Sequence, residues 1–181
     1  MNILYVPGLG EGAVLSFQKK YSALLNVFRS KHSKIAVFEP RWESDENFEK
    51  KYKRLLELYE TIHPTIVVGP SAGGALTITL FAEHEELKTA YVICGKLRGS
   101  EKIGEVYNKR APALIDAVKR SELHLKSGIG RDIRSFVSKH EYDGIVEKED
   151  MFTEEMRLTT MPVVQHGRAI LYWLFRYLPG V

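Results

Sequence analysis

Two kinds of apolar segment alternate along this chain of 181 residues. Short continuous runs at 2–6, 35–38, 65–69, 89–94 and 133–137 are rich in Val and Ile and predict strands buried on both faces. Between them the apolar positions recur at helical spacing. Val14, Phe17, Tyr21, Leu24, Leu25 and Phe28 share one face of a predicted helix over 14–32. Phe48, Tyr52, Leu55, Leu56, Tyr59 and Ile62 form a stripe against a Lys/Glu-rich back, with Ser44 or Asp45 placed to cap it. Residues 75–84 carry Leu76, Leu80 and Phe81 about one turn apart. Strand and helix in alternation predict an α/β fold: a three-layer sandwich with about six mostly parallel strands and helices on both faces.

The second half is less regular. Gly95, Gly99 and Gly104 interrupt the chain, 113–125 reads as a helix through Leu114, Val118, Ser121 and Leu125, and 133–137 is the fifth strand. A charged helical segment over 148–158, a sixth apolar run at 161–164 and an aromatic-rich helix over 169–177 complete the reading. Repeats, low-complexity tracts and linkers are absent, so one domain spanning 1–181 is expected, with 96–127 a candidate for a minimal lid.

Composition narrows the classes. With 44% apolar and 27% charged residues the chain is ordinary globular material, and 26 basic against 23 acidic residues is too balanced to point to a nucleic-acid or membrane partner. The single cysteine, Cys94, excludes an internal disulfide and lies in an apolar run that reads as core. Residues 2–6 enter a strand without a secretion-signal pattern, and no apolar run is long enough to span a bilayer, so a cytoplasmic protein is expected. Its oligomeric state is not encoded in any pattern.

Candidate chemistry centres on Gly69-Pro-Ser-Ala-Gly73, between the third strand and the helix that follows. A serine hydroxyl protrudes from so tight a turn only if its neighbours lack bulk, and Pro70 needs no amide partner. The helix start behind Ser71 favours developing negative charge. A serine nucleophile needs a base, and the base needs an orienting carboxylate. His32, His63 and His84 fall at helix ends, His124 within a helix and His140 beyond the fifth strand. His166 alone follows the last predicted strand and precedes a helix, which puts it on the same strand-terminal edge as Ser71. Asp143, in the Asp-Gly turn after the fifth strand, is selected on the same ground; Glu141 is its nearest competitor, while Asp132 belongs to the opposite edge and Asp150 to a helix. For a developing oxyanion, the N–H of Ala72 and an N–H of the loop Pro7-Gly-Leu-Gly10 are the expected donors, Leu9 first and Gly10 second. That glycine run lacks the Lys-Ser/Thr of a phosphate-binding loop.

On Pro7-Gly-Leu-Gly10, Gly69-Pro-Ser-Ala-Gly-Gly74, Tyr142-Asp-Gly-Ile-Val146 and His166-Gly167 the sequence resembles the α/β-hydrolase superfamily over nearly its whole length. The resemblance implies Ser71 as nucleophile, His166 as general base and acid, Asp143 as orienting acid, and Leu9 with Ala72 as oxyanion hole. It also implies that the first and third strands lie side by side at the point where strand order reverses. Two departures stand out: the chain lacks the family's common first hairpin, and Pro7 replaces a frequent oxyanion-loop histidine. In size and organisation it is similar to the retinoblastoma-binding-protein-9-like group.

The expected function is that of a serine hydrolase, carboxylesterase-like, cleaving an ester, thioester or amide of a small-molecule acyl substrate through an acyl-enzyme, with no cofactor and no metal. The alternative is a non-catalytic protein-binding module on the same fold. Lys96, Arg98, Lys102, Lys109 and Arg110 offer either a preference for acidic substrates or a solvated face, and Trp42 and Arg168 are candidates for the pocket wall.

Overall fold

The computed structural model describes residues 2–9 and 34–178; the helix expected over 14–32 and the second-choice donor Gly10 lie outside them. Six parallel strands form one sheet: β1 (Asn2–Tyr5), β2 (Lys34–Val37), β3 (Ile66–Pro70), β4 (Thr89–Ile93), β5 (Ile133–Val137) and β6 (Arg157–Thr160), in the spatial order β2-β1-β3-β4-β5-β6. The described helices are α1 (Phe48–Ile62), α2 (Gly73–Glu83), α3 (Glu105–Arg110), α4 (Pro112–Ser127) and α5 (His166–Arg176).

Strand side chains alternate between the two faces, and that alternation builds two cores. Leu4, Val67, Ala90 and Val92 point to the face covered by α1, α2 and α4. Ile3, Ile66, Val68, Tyr91 and Ile93 point to the other, where Ala169, Ile170, Trp173 and Leu174 of α5 pack. Helix α2 is buried along residues 73–81, which explains why its sequence is apolar all round rather than striped. Among the described residues no helix is long and apolar enough to cross a membrane.

Strand order reverses between β1 and β3, as expected, so the crevice for a ligand opens beyond their C-terminal ends. Both loops with the expected chemistry, after β1 and after β3, empty into it.

Elsewhere the local reading gives way to tertiary contacts. The helix expected over 148–158 shrinks to a 3-10 turn, Lys148–Asp150, where Asp150 is drawn inward to meet two lysines, and the segment's last two residues open β6. The sixth strand is Arg157–Thr160 rather than 161–164: an edge strand is held by backbone bonds on one side, so it needs no apolar run, and Pro162 cannot donate to a ladder. Of the stretch 96–127, residues 112–127 form α4, whose Ala113, Leu114, Ala117 and Val118 pack into the core, while the short α3 ends at Ala111 before Pro112 opens α4. The cap of α1 is Asn47, whose side chain accepts from Lys50 N–H at 3.0 Å; Ser44 accepts instead from the buried Lys51 ammonium at 2.7 Å. Asn47→Ala is therefore expected to cost about 1 kcal/mol in urea denaturation, and Asp45→Ala less than about half of that.

Candidate active site

Ser71 sits between β3 and α2 with φ of 51°, a left-handed conformation that an L-residue holds only where its surroundings fix it. Its N–H donates to Ile93 O at 2.9 Å, and its carbonyl accepts from Gly74 N at 3.0 Å and Lys96 N at 3.1 Å. Both glycines of the motif are sterically required. A Cβ on Gly73 would collide with Val6 O and lie 2.8 Å from Pro7 O, and one on Gly69 would strike Thr77 Oγ1. Gly8 faces the serine from across the crevice, where a Cβ would come 2.7 Å from Ser71 Cβ. The glycine loop is thus pressed onto the elbow.

That loop is also held from behind. The buried Trp42 donates its indole N–H to Pro7 O at 3.1 Å. Trp42 belongs to the loop after β2, which Lys51 secures by donating to Arg41 O at 2.5 Å and to Ser44 Oγ. Trp42 therefore supports the loop from outside the crevice instead of lining it, and the exposed Arg168 does not line it either.

After β5 the chain turns at Asp143-Gly144, with Gly144 at φ of 96°. Asp143 Oδ1 accepts from Ile145 N at 3.0 Å and Val146 N at 2.8 Å, and Oδ2 lies 2.6 Å from His166 Nδ1. A backbone bond from His166 N to Asp143 O at 2.9 Å ties the two loops together. His166 is the first residue of α5, three positions earlier than the expected helix start. Burial opposes ionisation of Asp143, but the hydrogen bond and charge of His166 together with the two amides outweigh it and hold the carboxyl below its ordinary value of 3.8. A carboxylate there accepts a hydrogen bond from Nδ1–H, which keeps the proton on Nδ1 and leaves the lone pair on Nε2. Nε2 is buried and has no hydrogen-bond partner among the described residues, Ser71 included.

Ser71 and His166 line the same cavity, of about 150 Å³, together with Leu9, Ala72, Lys96, Lys102, Ile103, Gly104, Tyr107, Leu114, Ile145 and Val146. The N–H of Ala72 donates to no protein acceptor among the described residues. All five residues singled out from sequence, Ser71, Asp143, His166, Leu9 and Ala72, thus meet at one edge of the sheet, with Asp143 behind the imidazole.

The competing candidates lie elsewhere. Glu141 is exposed beside Lys148, and Asp132 pairs with Arg134 and Arg157 at the far edge. His63 caps α1, His84 packs on the Tyr59 ring, His124 bonds Glu83 and His140 is exposed. Of the basic residues, Lys96 and Lys102 reach the cavity, whereas Arg110 pairs with Glu43 and Arg98 with the carbonyl of Glu149. Sequence reasoning missed Asp150, now found between the two cavity lysines, and the apolar wall residues Ile103, Tyr107, Ile145 and Val146.

Cys94, Asp143 and His166 bring potential metal-ligand atoms within 4.8 Å of one another. Burial and the neighbouring Asp143 push the Cys94 thiol far up, keeping it protonated, while Asp143 and His166 Nδ1 already satisfy each other. The donor set therefore fits an Asp–His pair beside a neutral thiol.

Because folding depresses the pKa of Asp143, its contribution to stability is full above the unfolded value near 3.8 and is lost as pH falls through the folded value. The stability gap between wild type and Asp143→Asn, followed by urea denaturation from pH 7 downward, is expected to narrow only below about pH 4. A gap that closes instead between pH 7 and pH 5 would contradict an ionised Asp143.

Comparison with known proteins agrees with this geometry at the level of fold. No protein-family model and no curated protein sequence matches the chain. Solved structures do: an esterase domain from Rhodothermus marinus superposes with a TM-score of 0.60 at 14% identity, over 88% of this chain and 75% of that one. The bottromycin epimerase BotH, in complex with bottromycin A2, gives 0.56 at 12% identity over 99% and 89%. A putative lipase from Acinetobacter baumannii AYE gives 0.52 at 11% identity over 99% and 82%. With its six-stranded parallel sheet, its reversal beside the serine strand and these structural neighbours, the chain has the α/β-hydrolase fold.

Proposed function

We propose that this protein is a serine hydrolase that cleaves an ester, thioester or amide of a small acyl substrate. One observation carries the reading: His166, anchored on Asp143 at 2.6 Å and with its Nε2 unpartnered among the described residues, lines the same cavity as the left-handed Ser71. A buried imidazole nitrogen without a partner is costly in a folded protein, and a role as proton acceptor accounts for its retention. The esterase and lipase among the structural neighbours support hydrolysis; the epimerase shows that the fold also hosts other activities, so the weight rests on the site.

In the proposed reaction Ser71 Oγ attacks the substrate carbonyl carbon while His166 Nε2 takes the hydroxyl proton, and Asp143 steadies the resulting imidazolium. The carbonyl oxygen gains negative charge and is received by the N–H groups of Ala72 and Leu9, at the start of α2 and in the loop after β1. Collapse of the tetrahedral intermediate expels the leaving group, which collects the proton from His166. Water then attacks the acyl-serine by the same route in reverse, with His166 as base, and frees the acid and Ser71.

Ser71→Ala is expected to abolish labelling by a fluorophosphonate probe with no change in the far-ultraviolet circular dichroism, and His166→Ala to slow it by about 10³-fold or more. Equal labelling of Ser71→Ala and wild type would end the assignment. Trp42→Phe keeps the ring but leaves Pro7 O without its donor, so kcat on p-nitrophenyl acetate is expected to fall about tenfold with little change in KM.

A further inference from the structure

We propose that the crevice selects a short, uncharged, apolar acyl group, and that Asp150 enforces this choice by neutralising the two lysines in its wall. The inference rests on the acyl-transfer reading above and gives it a substrate class.

Size comes first. A cavity of about 150 Å³ is a close match to those that take one benzene-sized molecule, which is about four to six carbons of an acyl chain. An acyl chain of that size fills the cavity by itself, so the leaving group, which must collect its proton from His166, lies outward of it. The apolar part of the cavity wall is Leu9, Ile103 of the loop before α3 and Leu114 of α4, with Ile145 and Val146. Those groups offer dispersion and burial but no hydrogen bonds.

Charge is the second filter. Lys96 and Lys102 also line the cavity, and two ammonium groups there would ordinarily recruit a carboxylate. Asp150 prevents this. Its Oδ2 lies 2.5 Å from Lys96 Nζ and its Oδ1 3.6 Å from Lys102 Nζ, which also meets Glu149 at 2.5 Å. Asp150 is only 4% exposed, and the chain is shaped around it: Leu97 N–H donates to its carbonyl, and Gly99, at φ of 72°, passes so close that a Cβ would lie 2.8 Å from Oδ2. Two carboxylates thus offset two ammonium groups. An anionic chain entering this cavity would lose its hydration and find both wall cations, Lys96 and Lys102, already paired.

The test measures kcat/KM for p-nitrophenyl esters from acetate to dodecanoate, with the hexanoate set against the mono-ester of adipic acid and spontaneous hydrolysis subtracted. Wild type is expected to peak between butanoate and hexanoate, to fall at least about tenfold by dodecanoate, and to prefer hexanoate over the adipate at least about tenfold. Ile103→Ala should move the optimum to longer chains, and Asp150→Asn should narrow the hexanoate-to-adipate ratio at least about tenfold by freeing Lys96, while Lys102 keeps Glu149. Should Asp150→Asn fail to fold, the wild-type series and Ile103→Ala decide the matter. A rate that climbs to dodecanoate, a preference for the adipate, or an unchanged ratio in folded Asp150→Asn would overturn the proposal. Fluorophosphonate labelling of the same preparations separates the two levels: labelled protein with a contrary ester series removes only this inference, whereas unlabelled wild type removes the serine-hydrolase reading beneath it.

Discussion

One backbone conformation organises this molecule, the left-handed turn at Ser71. Such a conformation costs on the order of 1–3 kcal/mol for a residue with a Cβ and persists only when neighbouring contacts allow nothing else. Here they come from three directions. The end of β4 fixes the serine amide through Ile93 O, the start of α2 and the loop after β4 fix its carbonyl through Gly74 and Lys96, and the loop after β1 closes on it through Gly8. The last contact depends on residues far from the turn. Trp42 holds Pro7 O, and the loop carrying Trp42 is held by Lys51 and by Arg54, which donates to Glu39 O and Pro40 O. Two buried or half-buried cations on α1 thereby help to set the shape of the proposed oxyanion loop without reaching the crevice.

Charge within the crevice is handled in the same way, by pairing before a ligand arrives. Burying an ion without a partner costs several kcal/mol. Asp143 meets its need with two amides and an imidazole, and Asp150 with two ammonium groups. The outcome differs because the partners differ. Asp143 leaves its imidazole with a free nitrogen, which is a reactive arrangement on the proposed mechanism, while Asp150 leaves nothing over. The same residue type therefore serves chemistry in one loop and electrostatic silence in the next.

What could be read from the sequence follows the same division. The first five strands, the elbow and the edge on which Ser71, Asp143 and His166 meet were legible because each is a local signal joined to a topological rule: apolar runs give strands, Gly-x-Ser-x-Gly gives the turn, and parallel strands end on one edge; the adjacency of β1 and β3 came only from the family resemblance. The misplaced elements are those decided by distant partners. Residues 148–158 are expected to be helical, yet the pairing of Asp150 with Lys96 and Lys102 leaves only the 3-10 turn Lys148–Asp150; 161–164 is apolar, yet β6 forms before it because Val137 and its neighbours offer backbone bonds there. Asn47 rather than Ser44 caps α1 because Ser44 is engaged by Lys51, a lysine whose burial no periodicity foretells. The cavity wall was illegible for the related reason that Ile103, Tyr107 and Val146 come from short loops and a two-turn helix without repeat of their own.

The relative placement of serine and histidine is set by backbone rather than by side chains. Past the ends of the strands the ladder continues: Ser71 N bonds Ile93 O, Cys94 N bonds Phe136 O, Met161 N bonds Val137 O and Lys139 N bonds Val163 O. An unbroken chain of main-chain hydrogen bonds thus runs from Ser71 across β4 and β5 to the segment that delivers His166. Cys94, itself left-handed with φ of 48°, is the link where this ladder turns toward Asp143. A slip of one residue in any of those pairings would displace Ser71 from His166 by about 3.3 Å and turn every strand side chain to the wrong face. The two buried cores forbid that slip, since each face is filled by the alternate residues of the same strands. The packing that stabilises the sheet is therefore also what holds the crevice in register, and the unusual backbone at Ser71 and Cys94 is tolerated because it sits at the ends of the most deeply buried strands.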